Sequence, residues 1–383
     1  MARLGLVLSG GGARGAYQAG VLLAIAEIRS QNPELSGFRV LTGVSAGAIN
    51  VAYLAAHYEN ELEAARELAQ LWKTISSEQV FRTDPISLGR IGAGWLADTT
   101  LGALRKRKRA RSLLDTEPLR ELISKRVPFQ KIPENISAGH FDAFAVTALN
   151  YSTAHSISFI QSSQPGLGWT RSRRRSEDAD INTDHIMASA AIPLFFPPVR
   201  VQNDYFGDGC LRNTAPLSSA VHLGSDRLMV ISVRRPEEKA KHVAAGLEPS
   251  IARVLGVMLN ALLMDAIEFD MERLARINST LDYIPASTRQ DLQLKKVSSL
   301  WIRPSEDIGF LASGQFDRLP TVVRYLMAGL GSSNEASELT SYLLFDPDYC
   351  GKLVDLGYQD AWAQSEEIIR FLSEGAAPDR SVG

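Results

Sequence analysis

Leu41-Thr42-Gly43-Val44-Ser45-Ala46-Gly47-Ala48 is the stretch that decides the fold. It sets a serine in Gly-x-Ser-x-Gly spacing. Phe38, Val40 and Thr42 alternate before it, and Ala46, Ile49, Tyr53 and Ala56 recur at helical spacing after it. Strand, sharp turn and helix are the context of a nucleophile elbow, in which the serine hydroxyl projects past the end of a sheet. Gly43 and Gly47 keep Cβ atoms out of the way where backbone must approach closely.

Upstream, Leu4–Leu8 is a near-continuous apolar run, as expected of a parallel strand buried on both faces. It ends in Ser9-Gly10-Gly11-Gly12-Ala13-Arg14-Gly15, and Tyr17, Val21, Ala24, Ile25 and Ile28 then mark a helix. The first fifty residues therefore predict a right-handed βαβ unit. Its glycine loop and Ser45 would lie side by side at the carboxyl edge of the sheet, where open α/β sheets bind ligands.

Downstream, helices are expected over Glu61–Ile75 and Leu113–Val127, the second capped by Asp115 or Thr116 with Pro118 in its first turn. Phe141–Leu149 reads as a strand and Ser156–Ile160 as its partner. Gln161–Asp180 reads as a polar surface loop carrying Arg171-Ser172-Arg173-Arg174-Arg175. A hairpin over Val199–Phe206 delivers Gly207-Asp208-Gly209-Cys210, followed by a helix (Pro216–Leu223) and a buried strand (Leu228–Val233). Ile251–Ile277 reads as one long helix and Ser299–Ile302 as a short strand. Beyond Pro304 come helical pieces at Leu319–Leu330, Ser337–Leu344 and Ala361–Leu372. The expected architecture is a three-layer α/β/α domain with a mainly parallel sheet over residues 1–304. A helical C-terminal extension would occupy residues 305–383.

The chain has 383 residues, 45% of them apolar and 22% charged, enough for a sizeable core. A net charge of −2 gives no overall attraction to nucleic acid or to anionic membranes. Any such attraction is local. Arg105–Arg111, six basic residues in seven, could meet phosphate headgroups at a membrane surface, or form a solvated loop. No aromatic residues interleave with the arginines, so nucleic acid is not an expected partner. Two cysteines make no disulfide framework, and no metal-ligand spacing is visible. The start of the chain has no signal-peptide pattern, and no run approaches the roughly 18 apolar residues of a membrane span. The most apolar stretch, Val254–Ile267, reads as core or as an interfacial helix. The expected setting is cytoplasmic; where Arg105–Arg111 is more than a solvated loop, it would give peripheral contact with a membrane surface.

Gly10–Gly15 has Gly-x-Gly-x-x-Gly spacing at a helix start, which suits negative charge: a phosphate or a tetrahedral oxyanion. A dinucleotide site would require an acid at the end of the second strand. Glu34 has the distance but precedes that strand, and the elbow occupies the required place. As an oxyanion hole, the amides of Gly11, Gly12 and Ala13 would face the carbonyl attacked by Ser45. Arg14 would add charge or, by preference, tie the loop to the sheet. Six histidines are present, none in a turn typical of a catalytic base. The order Ser…Asp…His could still be met by Asp208 with His222 or His242.

Gly10-Gly11-Gly12-Ala13-Arg14-Gly15, Gly43-Val44-Ser45-Ala46-Gly47 and Asp208-Gly209-Cys210, in that order, resemble the patatin-like phospholipase family. Ala188-Ser189-Ala190-Ala191-Ile192-Pro193 and Phe196-Pro197-Pro198-Val199 add to the likeness, which covers roughly residues 3–235. Cys210 stands where the family usually has Gly or Ala. The resemblance implies a Ser45–Asp208 dyad in place of a triad, oxyanion binding by the Gly11–Gly12 backbone, and hydrolysis of lipid acyl esters without a metal or other cofactor. Transfer of the acyl group to an acceptor other than water would use the same acyl-enzyme. A carboxylate near its reference pKa of about 3.9 is a weak base, so the dyad requires an Asp208 made stronger by burial.

Overall fold

The computed structural model describes residues 3–82, 112–164, 166–236, 248–291, 294–329, 332 and 336–374. The expected crossover is present. β1 (Leu4–Leu8) leads through α1 (Gly15–Gln31) to β2 (Val40–Val44), which lies parallel to β1 with Gly43 opposite Leu8. The remaining strands are β3 (Ala143–Asn150), β4 (Ser156–Ser162), β5 (Thr170–Arg171), β6 (Arg174–Asp178), β7 (Val199–Val201), β8 (Asp204–Asp208), β9 (Arg227–Ile231) and β10 (Ser298–Ile302). They form one mixed, mainly parallel sheet in the order β10-β9-β1-β2-β3-β4-β6-β5, with β8 added to β3 and β7 to β8.

Alternation along the central strands divides the apolar residues between two faces. Leu4, Leu6 and Leu8 of β1, with Met229 and Ile231 of β9, enter one core; Val7, Leu228 and Val230 enter the other. The first core is closed by α1, α2 (Ala46–Ala56) and α3 (Glu61–Thr74). Between α3 and β5 lie α4 (Glu117–Arg126), which begins after Thr116 with Pro118 in its first turn, and the strands of the hairpin β3–β4; α5 (Thr183–Ser189) follows β6. The second core is narrower and takes residues from α6 (Ser218–His222) and its neighbours. Three layers result, as expected.

Three expectations are corrected. Gln161–Asp180 is not a loop: β6 pairs parallel with β4, and β5 closes antiparallel on β6, so the arginine cluster lies on the sheet's edge. Charged residues on a short edge strand mimic a loop in sequence while blocking further pairing. Ile251–Ile277 is two helices, α7 (Ile251–Leu263) and α8 (Asp265–Asp282), joined at Met264. The core reading of α7 holds for one side only. Ala252, Leu259 and Leu263 are buried, whereas Ile251, Val254 and Met258 stand exposed. Finally, the segment beyond Pro304 includes α9 (Ser337–Leu343), α10 (Pro347–Ala363) and α11 (Ser365–Ser373). The helix expected at Ala361–Leu372 is thus split, and most of α10 precedes it. Asp346 caps α10 by accepting from the amides of Asp348 (3.1 Å) and Tyr349 (3.2 Å), with Pro347 at the first position. Arg105–Arg111 lies outside the described residues. No helix among the described residues is long and apolar enough to cross a membrane.

α10 packs directly on α1 through small residues. A Cβ on Gly20 would stand 1.9 Å from the Val354 carbonyl oxygen, and one on Gly357 2.1 Å from that of Tyr17. Phe345, Leu353 and Leu372 join the same core as Leu6 and Val51. Gly357→Ala should therefore cost about 1–3 kcal/mol in urea unfolding, the usual cost of overpacking. Gly351→Ala, on the same helix with no atom within 4 Å of its Cβ position, should be neutral or stabilising by up to about 1 kcal/mol. Equal effects would show that the α1–α10 contact does not require backbone proximity.

Candidate active site

The geometry of the site begins on one edge of β3. β2 runs parallel along that edge as far as Val44, opposite Thr147. β8 arrives antiparallel on the same edge and ends at Asp208, opposite Ala148. Adjacent register positions along a strand are about 3.3 Å apart. The residue after β2, Ser45, and the last residue of β8, Asp208, are thereby brought end to end.

Ser45 turns the chain sharply, with φ 55° and ψ −126°, a conformation costly for a residue with a side chain. Its amide donates to Ser189 Oγ (3.0 Å), and Ser189 donates in turn to the Thr147 carbonyl (2.7 Å). The Ser45 carbonyl accepts from the amide of Ala48 (2.9 Å) and so begins α2. Gly47 faces the end of β1: a Cβ there would be 2.5 Å from the Leu8 carbonyl oxygen.

Asp208 is fully buried. Its amide donates to the Ala191 carbonyl (3.0 Å), and its Oδ1 accepts from the Cys210 amide (2.9 Å), capping the short turn Gly209–Leu211. Cysteine at position 210 is accommodated in this turn. Its Sγ fills space that Gly10 leaves open: a Cβ on Gly10 would lie 2.5 Å from Cys210 Sγ and 2.9 Å from Ser45 Cβ. Burial raises the Asp208 pKa to about 6, against the opposing influence of the Ser45 hydroxyl, the Cys210 amide and the Cys210 thiol. The hydroxyl thus lies near enough to favour the carboxylate, yet Oδ2 has no partner at hydrogen-bond geometry among the described residues. Catalytic hydrogen bonds are often long in the unliganded state.

The glycine loop passes beside Ser45. Among the described residues no acceptor takes the amides of Gly11, Gly12 or Ala13. Gly12 has φ +57°, and a Cβ on it would be 2.3 Å from the Tyr342 carbonyl oxygen, so glycine is required for both reasons. Arg14 is a tie, but to α9 and not to the sheet. Its Nε donates to Ser341 Oγ (2.8 Å), its Nη2 to Glu338 (2.6 Å), and its guanidinium lies 4.2 Å from the Tyr342 ring centre. Glu338 also accepts from Asn260 of α7 (3.0 Å). Burial pushes the Glu338 carboxyl up, but Arg14, Asn260 and Arg253 together outweigh it and the net shift is downward.

An apolar groove opens from this centre between α2, α3 and α4. Ser45 and Gly12 stand in its wall with Ile49, Trp72, Ile123, Ile192 and Phe196, around about 640 Å³ of space that includes its open side. Arg126 is the one charged residue among the described lining residues. Trp72 is fixed by donating to Asn50 (2.7 Å), which donates to Gln18 (3.0 Å), which donates to the Ser9 carbonyl (2.8 Å).

The structure brings together Ser45, Asp208, Gly10–Gly12 and Cys210, and leaves the described histidines elsewhere. His222 Nδ1 lies 2.7 Å from the Ser218 carbonyl and its ring stacks on Trp169; His57 stacks on Tyr53; His185 packs edge-on to Phe159. His242 lies outside the described residues. Ser189 and Glu338 support the site although neither was singled out as a site residue from sequence. Ser189 lies within the quoted Ala188–Pro193 run, whereas nothing local marks Glu338.

Residues 6–221, more than half of the chain, match the family description patatin-like phospholipase. Similar solved structures include VipD from Legionella pneumophila, with 13% identity and a TM-score of 0.39 over 96% of this chain. The type III effector ExoU has 14% identity and a TM-score of 0.37 over 96% of this chain. Human GIVD cytosolic phospholipase A2, solved with methyl γ-linolenyl fluorophosphonate, has 12% identity and a TM-score of 0.43 over 97%. The matched regions span 67%, 53% and 59% of those three chains, respectively. No curated protein is significantly similar in sequence. On the match over residues 6–221, the chain belongs to the patatin-like phospholipase family.

Proposed function

We propose that the chain hydrolyses acyl esters of lipids, with Ser45 as nucleophile and Asp208 as its base. The observation that carries this reading is the buried Oδ2 of Asp208 next to the Ser45 hydroxyl, which, like the amides of the glycine loop beside it, has no partner among the described residues. Ser45 Oγ attacks the ester carbonyl carbon while its proton passes to Asp208. The amides of Gly11, Gly12 and Ala13 receive the oxyanion, each donor contributing about 2.7–4 kcal/mol in comparable sites. Collapse breaks the ester C–O bond, and the alcohol leaves with the proton from Asp208. Water then attacks the acyl-Ser45 ester, Asp208 takes its proton, and the acid is released as Ser45 regains a proton.

The remaining parts fit that sequence. The groove beside Ser45 is almost wholly apolar and suits an acyl chain. The exposed Ile251, Val254 and Met258 on α7 support peripheral contact with a lipid surface. A carboxylate with pKa about 6 is a stronger base than an exposed one and is still largely ionised at neutral pH.

A serine-directed phosphonate should label the native chain and leave Ser45→Ala unlabelled, with hydrolysis of a short-chain ester lost in parallel. Asp208→Asn should lower hydrolysis about 10²–10⁴-fold; a loss below about tenfold would remove Asp208 as base. Because protonated Asp208 cannot accept the serine proton, activity should rise with pH through about 6 to a plateau. A triad through His222 would make His222→Ala as damaging as Ser45→Ala, and retained activity excludes it.

The same burial has a stability consequence. A carboxyl whose pKa is raised on folding binds its proton more tightly in the folded state, so its contribution is complete below about pH 4 and declines as pH rises through about 6. Asp208→Asn should therefore be more stable than the native chain at pH 8, by about 1–3 kcal/mol in urea unfolding, and equally stable at pH 4. Equal stability at both pH values would mean that the carboxylate is not desolvated.

A further inference from the structure

The arginine cluster at the sheet's edge has no part in the chemistry at Ser45, and it borders a separate basin. This basin lies between α6, α8 and the residues Arg289, Leu294, Lys295 and Val297, on the opposite side of the sheet from the acyl groove. Its volume is about 580 Å³, within the range of small-ligand sites. Leu217, Val221, Leu274 and Val297 give it an apolar floor, and Arg171, Arg273, Arg289 and Lys295 give it a basic rim.

The cations are mostly uncompensated. Asp270 is the one carboxylate among the described lining residues; it accepts from Arg273 (2.9 Å) and from the Leu217 amide (3.0 Å). Arg171 donates to the Thr170 carbonyl (3.0 Å), Arg289 to that of Ile284 (2.8 Å) and Lys295 to that of Gly224 (3.2 Å). None of these three is paired with a carboxylate among the described residues. Arg174 stands behind them: burial lowers its pKa, Asp270 opposes that, and Arg273 and Arg171 add to the lowering. Like charges gathered without counter-ions repel one another, and a bound anion relieves the repulsion.

We infer that this basin binds a phosphate monoester carried on a small amphiphile, with the phosphate on the Arg171–Arg273–Arg289 rim and the apolar part on the Leu217–Leu274–Val297 floor. A phosphate monoester carries about −1.5 to −2 charges near pH 7 and offers several acceptors to guanidinium forks. A carboxylate would neutralise only one of the cations. The apolar floor distinguishes a phosphorylated lipid from free phosphate. The site is independent of Ser45, so its test reads binding and not hydrolysis.

The probes are dihexanoyl phosphatidate, dihexanoyl phosphatidylcholine and inorganic phosphate, titrated calorimetrically into the full chain carrying Ser45→Ala. Phosphatidate should bind saturably, about tenfold or more tighter than either alternative. Arg171→Gln combined with Arg289→Gln should weaken phosphatidate about tenfold or more and leave phosphatidylcholine unchanged. Arg171→Lys with Arg289→Lys keeps the charge and should retain part of the affinity; thermal unfolding of each variant separates lost binding from lost folding. Equal affinity for phosphatidate and phosphatidylcholine would overturn the inference. So would equal affinity for inorganic phosphate, or phosphatidate binding that survives the Gln pair in a folded chain.

Discussion

Two strands share one edge of β3, and the site depends on how they divide it. β2 runs along that edge to Val44 and β8 returns along it to Asp208, at consecutive register positions. Neither strand can continue without entering the other's place, so both must leave the sheet there. The chain meets this by a strained turn at Ser45 and a capped turn at Gly209–Leu211. A Cβ on Gly209 would be 2.1 Å from the Thr147 carbonyl oxygen, which shows how little room the junction leaves. A hydroxyl and a carboxyl far apart in sequence are thus positioned by backbone pairing, the least deformable part of an α/β fold.

Burial at this junction has two opposite effects. It removes water from Asp208, which strengthens the carboxylate as a base and destabilises the folded state at the pH where the base is needed. The positive φ at Ser45 and the loop amides without acceptors add to that cost, of the order of 1–3 kcal/mol for a strained residue. Stability comes from elsewhere, from the two cores that the central strands supply on opposite faces. Ser189 limits the strain locally, since it satisfies the Ser45 amide and anchors itself on β3.

Much of this was legible in the sequence where the signal is local. The apolar run Leu4–Leu8, the glycine loop and the elbow each announce themselves within a few residues, and together they define the crossover that sets the sheet's carboxyl edge. Features set by tertiary context were not legible. Arg174–Asp178 is a charged strand between β4 and the two-residue edge strand β5, and charge alone also describes a loop. The break at Met264 has no glycine or proline to mark it, since the residues on both sides remain helix formers. Asp346-Pro347 did mark the start of α10, a cap-and-proline signal that the apolar pattern farther on obscured. Glu338 could not be found at all, because its meaning lies in Arg14, which no sequence spacing connects to it.

That last pair shows why a loop of this kind needs distant support. Amides kept free for a ligand cannot also hold their own segment in place, so Gly11–Ala13 must be positioned by other groups. α9 supplies them: the Tyr342 carbonyl presses on Gly12, while Ser341 and Glu338 hold Arg14, the residue on which the loop enters α1. Asn260 extends the same network to α7, accepting from the Tyr342 hydroxyl and donating to Glu338. Burial weakens the guanidinium's hold on its proton, but Tyr342, Glu338 and Tyr349 together more than offset it, so Arg14 keeps its charge. Removing one member of such a pair leaves an uncompensated charge, usually a loss of about 3–5 kcal/mol, so the clamp is rigid as well as strong. The last strand of the sheet ends at Ile302, and the groups of α9 that fix the loop beside Ser45 come from beyond it.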